Sequence, residues 1–321
     1  MALYIVRRIL WAVLVVLIVL LLTFAVFYIL PAGDPALRFA GKSPTPESLA
    51  LIRARLGLDQ PWYHQYAVFV KNFVTGDDYG WPGLGFSFTS NVSVLSEVTE
   101  RAPRTLLLIM GAATIWITVG VSIGVLSAVR RQSLADRAAM GFVLFGISAP
   151  VFWLGLMALF IFWKQLHLTG GTGYVPITES VSGFFSHMIL PWCVLALLFA
   201  AIYARMTRNS LLETLGEDYI RTARAKGLSE RTVILRHALR ASLAPIVTMF
   251  GMDIALLVGG AIITESVFNI QGLGWLAIDS TLNQDLPTVV GVVMVGAVAV
   301  VFMNLIVDIG YAFLDPRVRY A

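Results

Sequence analysis

Five stretches of this chain contain no Asp, Glu, Lys or Arg: residues 9–33, 105–129, 138–163, 180–204 and 286–307. Each exceeds the roughly 20 residues that a helix rising about 1.5 Å per residue needs to cross a hydrocarbon core of about 30 Å. A sixth stretch, about 241–268, is equally apolar but holds Asp253 and Glu265. Inside hydrocarbon every backbone N–H and C=O must find a partner within the protein, so such segments are helices. Charged residues make up 13% of the chain, against about a quarter in soluble domains. The expected class is all-α: a polytopic membrane protein with six transmembrane helices.

The first segment, "MALYIVRRILWAVLVVLIVLLLTFAVFYIL", places Arg7 and Arg8 before an apolar run, as a secretory leader does. The run is much longer than the roughly 7–15 residues of a leader core, so residues 1–30 are read as a retained first span. Six spans return the C-terminus to the side of the N-terminus. With both termini cytoplasmic, 15 of the 23 Lys/Arg face inward, and the short loop 130–137 is basic, as the positive-inside rule requires. The formal charge of +4 is then a matter of topology, and nucleic acid is not an expected partner. The lipid bilayer is. The single cysteine, Cys193, excludes an intrachain disulfide.

This orientation divides the chain into the first span (1–30), an external segment (31–103), a five-helix core (104–314) with a cytoplasmic loop at about 206–240, and a cytoplasmic tail (315–321). In the external segment "TPESLALIRARLG" predicts a short helix with Thr45 as N-cap, Pro46 in the first position and Gly57 just past the end. "PWYHQYAVFVKNF" spaces Trp62, Tyr66, Phe69 and Phe73 helically, as a packing face, an interfacial belt or a docking surface would. Residues 76–93 are turn-rich with a short alternating run, and Asn91–Ser93 forms a sequon that carries little weight.

Catalytic and metal motifs are not found. There is no H-E-x-x-H, no G-x-S-x-G and no His/Cys cluster of zinc spacing; His64, His167, His187 and His237 are scattered. "AGKS" at 40–43 lacks the upstream glycine of a phosphate-binding loop, where Ala36 stands, and is followed by "PTP". The chain is expected to be no enzyme, with no metal and no cofactor of its own.

Against this apolar background "RTARAKGLSERTVILRHALR", residues 221–240, holds six Lys/Arg and one Glu. Fixing topology accounts for the sign of the charge, but a few residues would suffice, and this block has internal architecture. "GEDYIRTARAK" predicts a short helix with acids at its start and Arg224 and Lys226 at its end, complementing the helix dipole. Gly227 suits the left-handed position that stops such a helix, with Leu228 as the apolar contact after it. Ser229 can cap a second helix that runs through Glu230 into the fifth span. Tyr219, Thr222, Ala223 and Lys226 are expected on one face, with Ala223 small enough for a partner to approach closely. Such a helix-glycine-helix joined to a membrane helix is a lever for a protein partner.

The block resembles the coupling loop of bacterial ATP-binding-cassette importers, in the form found in dipeptide, oligopeptide and nickel permeases. Arg221 and Thr222 stand where the wider consensus has Glu and Ala, a substitution usual in the peptide branch, while Ala223 and Gly227 keep the pattern. "YIVRRIL", "LPAGDPA", "LGLDQPWYHQY", "GISAPVFWLGL", "ESVFNIQGLG" and "DPRVRY" resemble the same permeases in the same order; the stretch around "GDDYGWPGLG" departs from their shorter pattern. The resemblance implies the fold of a type I importer permease in the bacterial cytoplasmic membrane. It further implies a second homologous permease subunit, two cytoplasmic ATPases that bind ATP and Mg, an external solute-binding protein, and a coupling loop of Tyr219, Thr222, Ala223, Arg224, Lys226, Gly227 and Leu228.

Asp253 and Glu265 are candidates for the translocation pathway, since intramembrane carboxylates are costly and usually functional. For Asp253 two readings stand: an acid joining two helices, or one that meets a cationic group of the cargo. Gly259, Gly260 and Ala261 would leave room for close helix packing or for a moving solute. The same two acids would serve an ion-coupled secondary transporter, a reading that leaves the basic lever unexplained.

Overall fold

The computed structural model describes residues 2–30, 33–40 and 45–314. The tail at 315–321, with "DPRVRY", Arg317 and Arg319, and most of "AGKS" lie outside the described residues. Helix α1 (Ala2–Phe24) continues as a π-helical turn to Ile29. Three short helices follow, α2 (Pro35–Phe39), α3 (Pro46–Leu56) and α4 (Trp62–Thr75), then an antiparallel hairpin of β1 (Phe86–Ser87) and β2 (Val92–Ser93). Next come α5 (Val94–Val129), α6 (Leu134–Ser148), α7 (Val151–Ala158) with a π-helical extension to Gln165, and α8 (Val181–Leu215). The chain continues through α9 (Asp218–Ala225), α10 (Glu230–Thr232), a π-helical stretch Val233–Ala238 and α11 (Leu239–Ser242). It ends with α12 (Ala244–Val258), α13 (Ile262–Phe268), α14 (Leu273–Leu282) and α15 (Leu286–Leu314).

Among the described residues four unbroken helices are long and apolar enough to cross a membrane: Ile5–Ile29, Val94–Val129, Val181–Leu215 and Leu286–Ile309. The six expected spans are reached when each of two bent pairs counts as one. The third expected span is bent by 103° between α6 and α7. Ala149 is extended there (φ −80°, ψ 126°) because it precedes Pro150, whose ring excludes a helical neighbour on its N-terminal side. The fifth is bent by 49° between Ser242 and Ala244. Its helix stops at Val258, where Gly260 takes φ +116° and lies so near α14 that a Cβ would sit 2.7 Å from Gly274 Cα. Gly259 and Gly260 therefore serve a chain break and close packing, and Glu265 falls on α13, beyond the helix that carries Asp253.

Helix boundaries overrun the charge-free stretches. α5 begins at Val94, inside the segment expected to be external, and α8 runs to Leu215, past residue 206 where the loop was expected to open. A helix leaving the membrane keeps its own hydrogen bonds and has no reason to stop at the boundary.

The chain forms two compact units, one from residues 1–106, 255–266 and 270–309, the other chiefly from 107–254 with 267–269. In the first, Leu20, Phe24 and Tyr28 of α1 and its π turn join Phe39, Ile52, Val290 and Met294 in a buried core. α3 has the predicted ends: Thr45 and Ser48 cap each other reciprocally, and Gly57 is left-handed at φ +63°. Asp34 caps α2 through Ala36 N–H and pairs with Arg53, which holds its carboxyl below the usual carboxylate range. Tyr66, Phe69 and Phe73 pack on this core, so most of the aromatic stripe is a packing face, while Trp62 stays exposed. α4 lies along the first span: Tyr66 donates its hydroxyl proton to the Leu17 carbonyl at 3.0 Å.

In the second unit α5 and α8 approach closely through small residues. A Cβ on Gly120 would lie 2.9 Å from Ala200 O, and one on Gly124 2.6 Å from Ala204 O. Helices in lipid lack a hydrophobic drive to associate, so backbone approach of this kind supplies the contact. Trp116 is fully buried, stacked on Phe199 with ring centroids 4.6 Å apart.

Candidate functional site: a docked basic helix and two acids of an apolar stretch

The basic block forms the helix and glycine turn its residues predict, but differs in the face of Ala223 and the cap at Ser229. α9 starts with Asp218 and carries Arg224 in its last turn. Gly227 takes φ +79°, Gly227 N–H donates to Arg224 O at 2.9 Å and Leu228 N–H to Ala223 O at 3.4 Å, the paired bonds of a glycine-terminated helix. Across that turn Arg224 grips Glu230 with two hydrogen bonds, of 2.6 and 3.1 Å, and the carboxylate raises the pKa of the guanidinium. Ser229 precedes α10 as expected, but its hydroxyl pairs with that of Thr232 at 2.9 Å instead of capping an N–H.

Tyr219, Thr222 and Lys226 are exposed, whereas Ala223 is buried at 8% exposure. The expectation that Ala223 presents itself to a partner is corrected by its spacing from Ile220. Three residues apart on a short helix, the two share the inward face and pack with Ala128, Leu211, Val233 and Ala238. The small side chain lets α9 lie close on the ends of α5 and α8. Ser210 adds a tie, donating its hydroxyl proton to Ser242 O at 3.0 Å. Outward, Tyr219, Thr222, Lys226 and Leu228 are left exposed on a segment held from behind.

The two acids are held differently. Glu265 is fully buried. Its carboxylate accepts from Thr105 Oγ1 and from Trp275 N–H, both at 2.8 Å. Thr105 in turn accepts from Leu273 N–H at 2.8 Å. Gly272 closes the cluster, since a Cβ there would lie 2.7 Å from the Glu265 carboxyl carbon. Asp253 is half-buried and takes a hydrogen bond of 2.7 Å from the hydroxyl of Tyr203, itself fully buried on α8. Asp253 therefore does join two helices, and part of it stays open. The residues that sequence reasoning missed are Thr105, Tyr203 and Gly272, ordinary in type and remote in sequence from the acids they serve.

Residues 120–320 match the family described as "Binding-protein-dependent transport system inner membrane component", and residues 1–109 match "Binding-prot-dependent transport system membrane comp, N-term". A Brucella abortus protein named as a peptide transport system permease is 40% identical over 316 residues, 98% of each chain. The dipeptide transport system permease protein DppB of Escherichia coli K12 is 39% identical over 324 residues, 94% of each chain. The glutathione transport system permease protein GsiC of Escherichia coli O6:H1 is 38% identical over 317 residues, 99% of each. Among solved structures, a chain of the MetNI methionine ABC transporter in inward-facing form has the same fold, with a TM-score of 0.54 and 19% identity over 69% of this chain and 97% of that one. The ion-coupled alternative gains no support from any of these matches. The chain belongs to the inner-membrane components of binding-protein-dependent transport systems, the permease subunits of ATP-binding-cassette importers.

Proposed function

We propose that this chain forms half of the translocation pathway of an importer for di- or oligopeptides, beside a second, homologous permease subunit. Two cytoplasmic ATPases bind ATP and Mg and seat against α9, meeting Tyr219, Thr222, Arg224, Lys226, Gly227 and Leu228. A solute-binding protein delivers cargo from outside, and both termini are cytoplasmic. The chain supplies movement and a path, and hydrolysis belongs to the ATPases.

The observation that carries this reading is the docking of α9. A helix pressed by Ile220 and Ala223 onto the ends of α5 and α8, and joined through residues 228–243 to α12, cannot be displaced alone. Closure of the ATPases pushes α9, the attached helices reorient, and the path opens to the other side. Peptide cargo is supported by the names of the relatives and by the fit of a carboxylate such as Asp253 to a peptide amine. Glu265 meets no cargo on this reading; it braces the wall.

Gly227→Asp tests the lever. It puts a side chain and a negative charge at a left-handed position on the ATPase-facing turn. In proteoliposomes holding the full complex, peptide uptake should fall at least about tenfold while the amount of chain in the membrane is unchanged; normal uptake would remove α9 from the mechanism. Orientation is tested with Cys193→Ser as background. Asp78→Cys should react with an impermeant thiol reagent added outside intact cells, and Leu134→Cys only after lysis, both positions being exposed. The opposite pattern would invert the layout.

A further inference from the structure

The basic turn between α5 and α6 holds one residue that topology does not explain. Arg130, Arg131 and Arg137 face solvent there and suffice for the positive-inside rule. Asp136 turns inward instead, at 6% exposure. It accepts from the Ser127 hydroxyl near the end of α5, from Gln132 N–H at 2.8 Å, and from Arg208 of α8 through Nε at 2.9 Å and Nη2 at 3.1 Å. Its own N–H donates to the Ser133 hydroxyl that caps α6, at 3.3 Å. Gln132 sits at φ +64°, a strained conformation for a side chain of its kind, and the bond to Asp136 holds it there. One carboxylate thus ties α5, the turn, α6 and α8 at a single point.

Ser127 adjoins Ala128, and Arg208 lies one helical turn before Leu211, two members of the apolar cluster beneath α9. The knot is therefore built on the same helix ends that receive the lever. Packing of α6 along α8, with Gly146 against Ala201, brings the two helices close. A two-pronged arginine–carboxylate pair fixes both distance and orientation.

We propose that Asp136 and Arg208 are positioning residues for coupling: they make α6, the first arm of the bent third span, move as one body with α5 and α8 when α9 is displaced. The proposal rests on the importer reading and adds to it a rigid joint that touches neither cargo nor ATPase.

The test uses the complete complex in proteoliposomes, with the binding protein and radiolabelled dialanine, and measures uptake per ATP hydrolysed. Asp136→Asn removes the charge and weakens the fork. Its complex should assemble and hydrolyse ATP within about twofold of the unaltered complex, while uptake per ATP falls at least about fivefold. The exchange Asp136→Arg with Arg208→Asp should recover at least half of that loss. Should Asp136→Asn fail to assemble, Arg208→Lys keeps the charge with one prong, and a twofold or larger fall in uptake per ATP is expected. An unchanged ratio in every variant that assembles would overturn the joint and leave the pair as a prop of the fold. A complex without these substitutions that takes up no dialanine, yet transports other peptides, would correct only the cargo; one showing no ATP-driven uptake at all would overturn the importer reading itself.

Discussion

Asp253 and Glu265 stand twelve residues apart in one apolar stretch, and the fold treats them in opposite ways. Glu265 is sealed, with a hydroxyl and a backbone N–H aimed at its oxygens and a glycine kept bare above it. Asp253 has one tyrosine partner and an open side. A fully enclosed and satisfied carboxylate holds a loop in shape and reaches nothing that moves. A half-enclosed one can keep its helix contact and still meet a passing group. Rarity of charge in a membrane segment marks both positions; only the count of donors and the exposure separate their uses.

The comparison can be broken most easily at Glu265. Glu265→Ala leaves the Thr105 hydroxyl and the Trp275 N–H without their acceptor, each worth about 1–3 kcal/mol when buried unsatisfied. The complex should lose most of its membrane abundance, measured by quantitative blotting. Glu265→Gln, which keeps the shape and one acceptor oxygen, should retain more of it. Normal abundance and a cargo-dependent uptake defect in both variants would make Glu265 a pathway residue after all.

A smaller and more selective effect is expected at Asp253. Asp253→Asn can still accept from Tyr203, so abundance and basal ATP hydrolysis should stay within about 20% of the unaltered complex, a difference well under 1 kcal/mol. Uptake of a lysine-containing dipeptide should fall about threefold more than uptake of dialanine. Equal uptake of both at the unaltered rate would move Asp253 into the same class as Glu265, as a residue that only joins helices.

Much of this was legible locally. Thr45, Pro46 and Gly57 bound α3, and Gly227 ends α9, because caps and left-handed turns are decided by a few adjacent residues. The five charge-free stretches located apolar helices, though not their ends. What adjacency does not carry was missed. The bend at Ala149 was written in "SAP" but lies inside a charge-free run, which hides it from a count of charges. The inward turn of Ala223 depends on α5 and α8, and the Asp136 knot depends on Ser127 and Arg208, nine and 72 residues away. The overrun of α5 and α8 beyond the apolar stretches has a related cause: hydropathy locates lipid, and helices do not end where lipid does.

The first span is more than an anchor. Leu20, Phe24 and Tyr28 form the floor on which α2, α3 and α4 rest, and Leu17 receives the hydroxyl of Tyr66. In terms of modular exchange, a chimera cut at residue 30 would pair these helices with a foreign span lacking the matching aromatic ledge. A cut beyond residue 106 would carry the span and the helices it supports together, still leaving behind Val290 and Met294, the part of that floor contributed by α15. The natural unit of transfer is thus discontinuous, and domain shuffling in this fold has to respect a contact that joins the first helix to the last.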